Sequence, residues 1–431
     1  MPAVITLLAV ALAYLTLQID RELLRDREHD LGWIFGGGAE GARGVLAAIS
    51  GTMITVTALV FSITVVSLQL ASSQLTPRVL RSFMGDRGNQ VVLGFFIGTF
   101  TYALLVLRAV RSPLEDEGGF VPSLSVTVSM VMALISVALL IFYVHHAANA
   151  MRASVVIDRA ARVTLDLVER VYPNDDAAEP FPIPSPWQPA GVATVVRADK
   201  GGYLQRVDEP ALLALAENHA VTVRVELMVG AFALPDGALA SLWPEIDPER
   251  RDGCERAIRS ALPLGFERAP HADIELGMQQ LVDIAVKALS PGINDPSTAM
   301  LCIDRLGEVL VAIGKRGSAE AVRRGDDGSV RLVLHPPIFD RLVHLAFDQI
   351  RHYGVADPAL AAYLVTALGK VAALLPGDRQ DRLVRQARLV LAAIETEIAL
   401  PADREVVARA GVWLNASDRA TASGRGGRAD A

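Results

Sequence analysis

The sequence is short of sulfur, lysine and aromatic rings, and each shortage excludes something. Its two cysteines, Cys254 and Cys302, lie far apart without a CxxC spacing or the partner set a zinc site needs. Two free thiols in a reducing cytoplasm are the expected state, with a single disulfide as the alternative. Lysine occurs only at Lys200, Lys287, Lys315 and Lys370, and the net charge is −7. A basic stripe is missing, which argues against nucleic-acid binding. No GxxxxGK[ST], HExxH or GxSxG string occurs. The glycines between Gly32 and Gly44 follow no strand, so a phosphate loop is unsupported. No enzyme activity and no cofactor are expected.

Charge is also missing from long stretches. The hydrophobic fraction is 52% and the mean hydropathy +0.35, too high for an ordinary soluble chain. Four stretches carry no Asp, Glu, Lys or Arg: Met1–Ile19, Gly44–Pro77, Gly88–Leu107 and Gly118–Val144. A bilayer core about 30 Å thick is crossed by roughly 20 such residues in helix. The first stretch has no basic leader, so it reads as a retained span and not a signal peptide. Beyond Arg152 charges become frequent. The pattern predicts a multi-pass α-helical membrane domain with about four transmembrane helices over residues 1–150, then a soluble α+β region.

The second stretch is longer than a bilayer needs, about 50 Å as one helix at ~1.5 Å per residue. At about 100° per residue, Ser50, Thr57 and Thr64 share one narrow face, and Thr55, Ser62 and Gln69 another. Hydroxyls in lipid bond to their own i−4 carbonyls, to a neighbouring helix or to water. Two readings follow: both faces are dry helix packing, or one packs and the other lines a wet pathway. In the third stretch Gly94 and Gly98 have the GxxxG spacing that lets helix backbones approach closely, for tight packing or oligomerisation. The arginine bias favours the side holding Arg78, Arg81, Arg87, Arg152, Arg159, Arg162 and Arg170, which places the C-terminal region in the cytoplasm.

Residues 151–190 read as a juxtamembrane helix followed by a stiff linker with six prolines, Pro173, Pro180, Pro182, Pro184, Pro186 and Pro189. A small β barrel or sandwich is expected at 191–245. Val221–Leu227 alternates with period two, Ala193–Arg197 and Tyr203–Val207 flank an Asp199-Lys200-Gly201-Gly202 hairpin signal, and Pro235-Asp236-Gly237 is a turn. Residues 246–416 read as an α-helical cytoplasmic domain. Apolar residues recur there at helical spacing in Gly277–Leu289, Ala299–Ile313, Ile338–Ile350, Ala359–Leu375 and Arg382–Ile398. Residues 417–431 form a polar tail with the composition of a disordered segment.

The segment Ser290-Pro291-Gly292-Ile293-Asn294-Asp295-Pro296 is the most distinctive. Pro291-Gly292 ends one helix, Asp295 is a good N-cap and Pro296 suits the first helical position. It is a structural corner, or one whose free amides, Asn294 and Asp295 bind an ion or a partner segment. Histidines form no i, i+4 metal pair, so no metal is expected. Asp273 and Glu275, in His271–Glu275, are expected to open the following helix.

Several of these runs resemble a known family. They are Ser50-Gly51-Thr52-Met53-Ile54-Thr55-Val56, Val60–Thr64, Leu68–Gln74, Pro77-Arg78, Phe100–Arg108, Gln280–Ala285, Leu289–Pro296 and Ala346-Phe347-Asp348-Gln349-Ile350-Arg351. Together they are similar to the domain of unknown function 2254 family of predicted bacterial membrane proteins, over nearly the whole chain. The resemblance implies the same layout and supplies no activity. Taken together, the expectation is an oligomeric channel or transport protein of a bacterial inner membrane, with a lipid bilayer and copies of itself as partners. The alternative is a membrane-anchored scaffold or sensor whose soluble domain binds a cytoplasmic protein.

Overall fold

The computed structural model describes residues 1–22, 34–74, 87–111, 120–150, 152–172, 191–316 and 321–415. The proline-rich linker, the Pro77-Arg78 motif and the polar tail lie outside these residues. The chain divides into two compact units, Met1–Val156 and Ile157–Ala431.

The first unit contains α1 (Pro2–Glu22), α2 (Ala39–Gln74), α3 (Arg87–Ala109) and α4 (Ser123–Ala150). These are the four helices among the described residues long and apolar enough to cross a membrane. Each corresponds to one uncharged stretch, because helix is the form in which a single segment satisfies its own backbone in lipid. The third is the most enclosed, with 44% of its apolar span buried. Its glycines explain why. A Cβ on Gly94 would stand 2.9 Å from Pro2 Cα, and one on Gly98 3.2 Å from Ala9 Cβ. The GxxxG face is therefore taken up by α1 of the same chain. On the other side, Val60 of α2 joins Val92 and Phe96 of α3 in one apolar cluster, and Leu46 joins Ala103 and Val106 in another.

One end of this bundle is tied by a carboxylate. Asp20, at the end of α1 and only 3% exposed, accepts bonds from Leu124 N (2.9 Å), Ser125 N (3.0 Å) and Ser125 Oγ (2.5 Å). It caps the start of α4, whose first amides have no partner inside their own helix. The negative charge also lies at the positive end of that helix dipole.

The second unit begins with α5 (Ala153–Val171, its first residues preceding the division). The β part holds β1 (Thr194–Arg197), β2 (Gly202–Leu204), β3 (Thr222–Val225), β4 (Phe232–Ala233), β5 (Ala238–Trp243) and β6 (Leu264–Gly265), with α6 (Glu209–Asn218) and α7 (Pro248–Ala261). Then follow α8 (Ile274–Ala288), α9 (Pro296–Gly314), β7 (Val322–Arg324), β8 (Val330–Val333), α10 (Phe339–Gly354), α11 (Pro358–Ala372), α12 (Gly377–Glu397) and α13 (Pro401–Ala410). The five helices expected from periodicity are α8 to α12.

The strands form two sheets, β1-β5-β3-β8-β7 and β4-β2-β6. The expected hairpin across Asp199–Gly202 is not formed. Its two strands are real, but β1 pairs with β5, and β2 with β4 and β6. Ala198 bonds instead to the 236–237 turn (Asp236 N→Ala198 O 3.0 Å, Ala198 N→Gly237 O 2.9 Å), which draws the chain off the first sheet. Gly202 then lies against Gly265, where a Cβ would be 3.0 Å from a backbone oxygen.

The sheet also reaches into the stretch expected to be helical. β8 runs parallel to β3, with Val223 opposite Leu332, and β7 pairs with β8 around an Asp327-Gly328 turn. The shared core takes Val223, Val225, Leu239 and Leu242 from strands, Leu212 from α6, Ile258 from α7 and Leu332 from β8.

Within this unit α5 is fixed to the helical part. Arg305 of α9 holds Asp158 at 2.8 Å, and the Tyr172 hydroxyl donates to Pro337 O at 3.1 Å. Gly277 of α8 lies directly under Thr164, leaving no space for a side chain.

Replacing Asp20 tests the cap. Asp20→Ala is expected to lower stability by about 1–2 kcal/mol, read as a fall in Tm of the detergent-solubilised chain. An unchanged Tm would show that α4 does not depend on this carboxylate.

Candidate functional site: the hydroxyls of the membrane unit

The two hydroxyl faces of α2 have different fates. Ser50 is 6% exposed, and Thr57 and Thr64 are half-buried. Each donates to the carbonyl four residues back: Ser50 to Leu46 O (2.8 Å), Thr57 to Met53 O (2.7 Å) and Thr64 to Val60 O (2.8 Å). Thr64 also lies 2.6 Å from the Tyr143 hydroxyl of α4. This face is turned into the bundle.

Thr55, Ser62 and Gln69 are exposed. Thr55 satisfies itself on Gly51 O at 2.9 Å. Gly44, Ala48, Gly51 and Ala58 fall on the same stripe at about 100° per residue. A Cβ at Gly44 or Gly51 would have nothing within 4 Å. A glycine inside a helix costs about 1 kcal/mol relative to alanine, and these two give no packing in return among the described residues. The stripe is not uniformly small or polar, since Leu59 and Val66 are also exposed close to it, but the outer faces of α1 and α4 are more continuously apolar. Leu7, Leu8, Leu12 and Leu15 stand out from one, and Leu134, Ile135, Ile141 and Phe142 from the other, as lipid-facing helices should.

The structure adds a polar seam that the sequence reading did not single out. On α4, Ser125, Ser129, Ser136 and Tyr143 are all at most 1% exposed and recur on one inner face. Ser125 meets Asp20. The Tyr102 hydroxyl of α3 donates to Ser125 O (3.2 Å) and lies 2.8 Å from Thr16 Oγ1 of α1. Deeper in, Ser136 Oγ is 3.3 Å from Thr99 Oγ1. The serine spacing along Gly118–Val144 was the available signal, but it only becomes a seam once two other helices, α1 and α3, supply Asp20, Thr16, Thr99 and Tyr102.

The Ser290–Pro296 corner uses most of its polar groups on itself. Ile293 N and Asn294 N both bond to Ser290 O at 2.9 Å, and Asp295 N to Ala288 O at 2.9 Å. Ser290 Oγ donates to Lys287 O at 2.7 Å. Asp295 caps α9, accepting from Thr298 N (3.2 Å) and Thr298 Oγ1 (2.6 Å), with Pro296 in the first turn. Asn294 has a φ of 50°, the left-handed region that asparagine tolerates better than most residues. Pro291, Gly292 and Asn294 are exposed.

Elsewhere acids are committed to arginines. Asp273 caps α8 at Leu276 N and is clasped by both ends of Arg268 (2.6 and 2.9 Å); Glu275 is held by Arg341 (2.6 and 3.1 Å). Both cysteines are free and buried. Burial pushes both thiols above their ordinary range, the opposite of an activated nucleophile. Cys254 Sγ lies 3.4 Å from His219 Nε2. Among the described residues no group of three or more His, Cys, Asp or Glu side chains is placed to hold a metal ion.

The cap at the corner is testable. Asp295→Ala is expected to destabilise the chain by about 1 kcal/mol, and Asp295→Asn by much less, since asparagine caps nearly as well. Thermal unfolding of the two variants side by side checks the order.

Comparison with known proteins agrees with this layout. Residues 1–370 match the family described as predicted membrane protein (DUF2254). Uncharacterized proteins of Mycobacterium bovis and Mycobacterium tuberculosis are each 36% identical to the chain over 392 residues, covering 90% of this chain and 74% of theirs. No solved structure matches it. With most of its length matched, including all four apolar helices, the β part and the corner, the chain belongs to this family of predicted membrane proteins, DUF2254.

Proposed function

We propose that the protein is a homo-oligomeric channel or transport protein of a bacterial inner membrane, in which the outer faces of α2 from several copies surround a common path. The observation that carries this reading is the exposed stripe of Gly44, Gly51, Thr55, Ser62 and Gln69, beside helices whose other outer faces are leucine, isoleucine and phenylalanine. Small residues let helices of neighbouring copies approach closely. Hydroxyl and amide groups then face either one another or water instead of acyl chains. The stripe carries no ionisable side chain from Gly44 to Gln69, so such a path discriminates by width and hydrogen bonding and not by charge. In this reading the second unit lies in the cytoplasm and assembles or gates the path.

The inward, fully bonded Ser50, Thr57 and Thr64 favour a second reading, in which every hydroxyl of α2 is a dry contact and the protein is a membrane-anchored scaffold or sensor.

Single cysteines separate the two, in a background with Cys254 and Cys302 replaced by alanine. Thr55→Cys and Ser62→Cys are expected to react with a water-soluble thiol reagent in intact membranes, while Ser50→Cys and Thr57→Cys stay inert. Uniform inertness removes the path and leaves the scaffold. Flux of ions or osmolytes through liposomes holding the purified chain, under tension, voltage or a pH step, then tests transport itself.

A further inference from the structure

Ser129 is an exception among the hydroxyls of the membrane unit. The usual solution for Ser or Thr in a helix is a bond to the i−4 carbonyl. Thr127 takes Ser123 O at 2.8 Å, Ser136 takes Met132 O at 2.9 Å and Thr99 takes Phe95 O at 2.9 Å. For Ser129 that carbonyl is Ser125 O, which receives the Tyr102 hydroxyl at 3.2 Å and not that of Ser129. Ser129 is 0% exposed, and its Oγ has no hydrogen-bond partner among the described residues. An unpaired hydroxyl is costly anywhere in a protein interior, and more so in a bundle surrounded by lipid, where bulk water is not at hand.

The surroundings of Ser129 are polar. One turn towards the start of α4 stands the Asp20, Ser125, Tyr102 and Thr16 group, and two turns towards its end the Thr99 and Ser136 pair. Proton counting shows where capacity is left. Thr16 Oγ1 lies 3.2 Å from Ala13 O and 2.8 Å from Tyr102 Oη, and Ser125 Oγ donates to Asp20; with its one proton on Ser125 O, Tyr102 Oη keeps a lone pair free.

We infer that a resident water molecule binds at Ser129, taking the Ser129 proton and donating to Tyr102 Oη. Buried waters typically make about three bonds to polar groups that the protein leaves unsatisfied. The water extends the hydroxyl cluster around Asp20, Ser125 and Tyr102 by one helical turn, to Ser129. This site lies inside one chain and is independent of any path along the outer face of α2.

The sign of one substitution decides the matter. With a water bound, Ser129→Ala removes one of its partners, and Tm of the purified full chain in nanodiscs falls by about 2–4 °C. Without it, Ser129→Ala deletes an unpaired polar atom, and Tm stays level or rises; either result overturns the inference. In a Tyr102→Phe background the water loses its acceptor. The Ser129→Ala effect is then expected to shrink, and equal effects in both backgrounds would also count against the site. An experimental density map clear enough to show ordered solvent, yet empty beside Ser129, ends the proposal directly.

Discussion

Inside a bilayer a stray polar group finds no solvent to bond with, and the membrane unit is arranged around that constraint. Backbone groups are absorbed by four helices. Side-chain hydroxyls turn back onto their own helix or meet across the bundle, as Thr64 meets Tyr143. The first amides of α4, which no helix can satisfy alone, are taken by Asp20 about a hundred residues earlier in the chain. The outer stripe of α2 and the hydroxyl of Ser129 stand out against these bonded groups.

The same logic separates three sets of small residues that look alike in the sequence. Gly94 and Gly98 admit α1 within a single chain. Gly277 admits the Thr164 side chain of α5. Gly44 and Gly51 admit nothing from the described residues of their own chain. Spacing alone cannot make this distinction, because it records where a helix is thin and not what lies against the thin place.

Much of the architecture was legible because it rests on local patterns. A missing charge over twenty residues marks a span, a 3.6-residue period marks α8 to α12, and Asp295 before Pro296 marks a helix start. What escaped depended on contacts between distant segments. Asp20 looked like the polar end of a span, and its role needs α4 beside it. The inner and outer faces of α2 carry the same residue types, so only the neighbouring helices tell them apart. Ala193–Arg197 and Tyr203–Val207 read as a hairpin because proximity in sequence usually means pairing, yet each found a distant partner. Val330–Val333 was passed over as part of a helical region, although Asp327-Gly328 before it is a hairpin signal.

The parallel pairing of β3 with β8 has a consequence for how the second unit is made. Val223 and Leu332 are neighbours across the ladder, but α8 and α9 are synthesised between them. Until residue 333 is available, one side of β3 is an open strand edge, the kind of surface on which chains aggregate. The sheet therefore closes late, after its helical insert has been made, and contacts of such separation slow folding. A fragment ending after α7 would look like a complete β domain by its composition, yet it would expose that edge permanently.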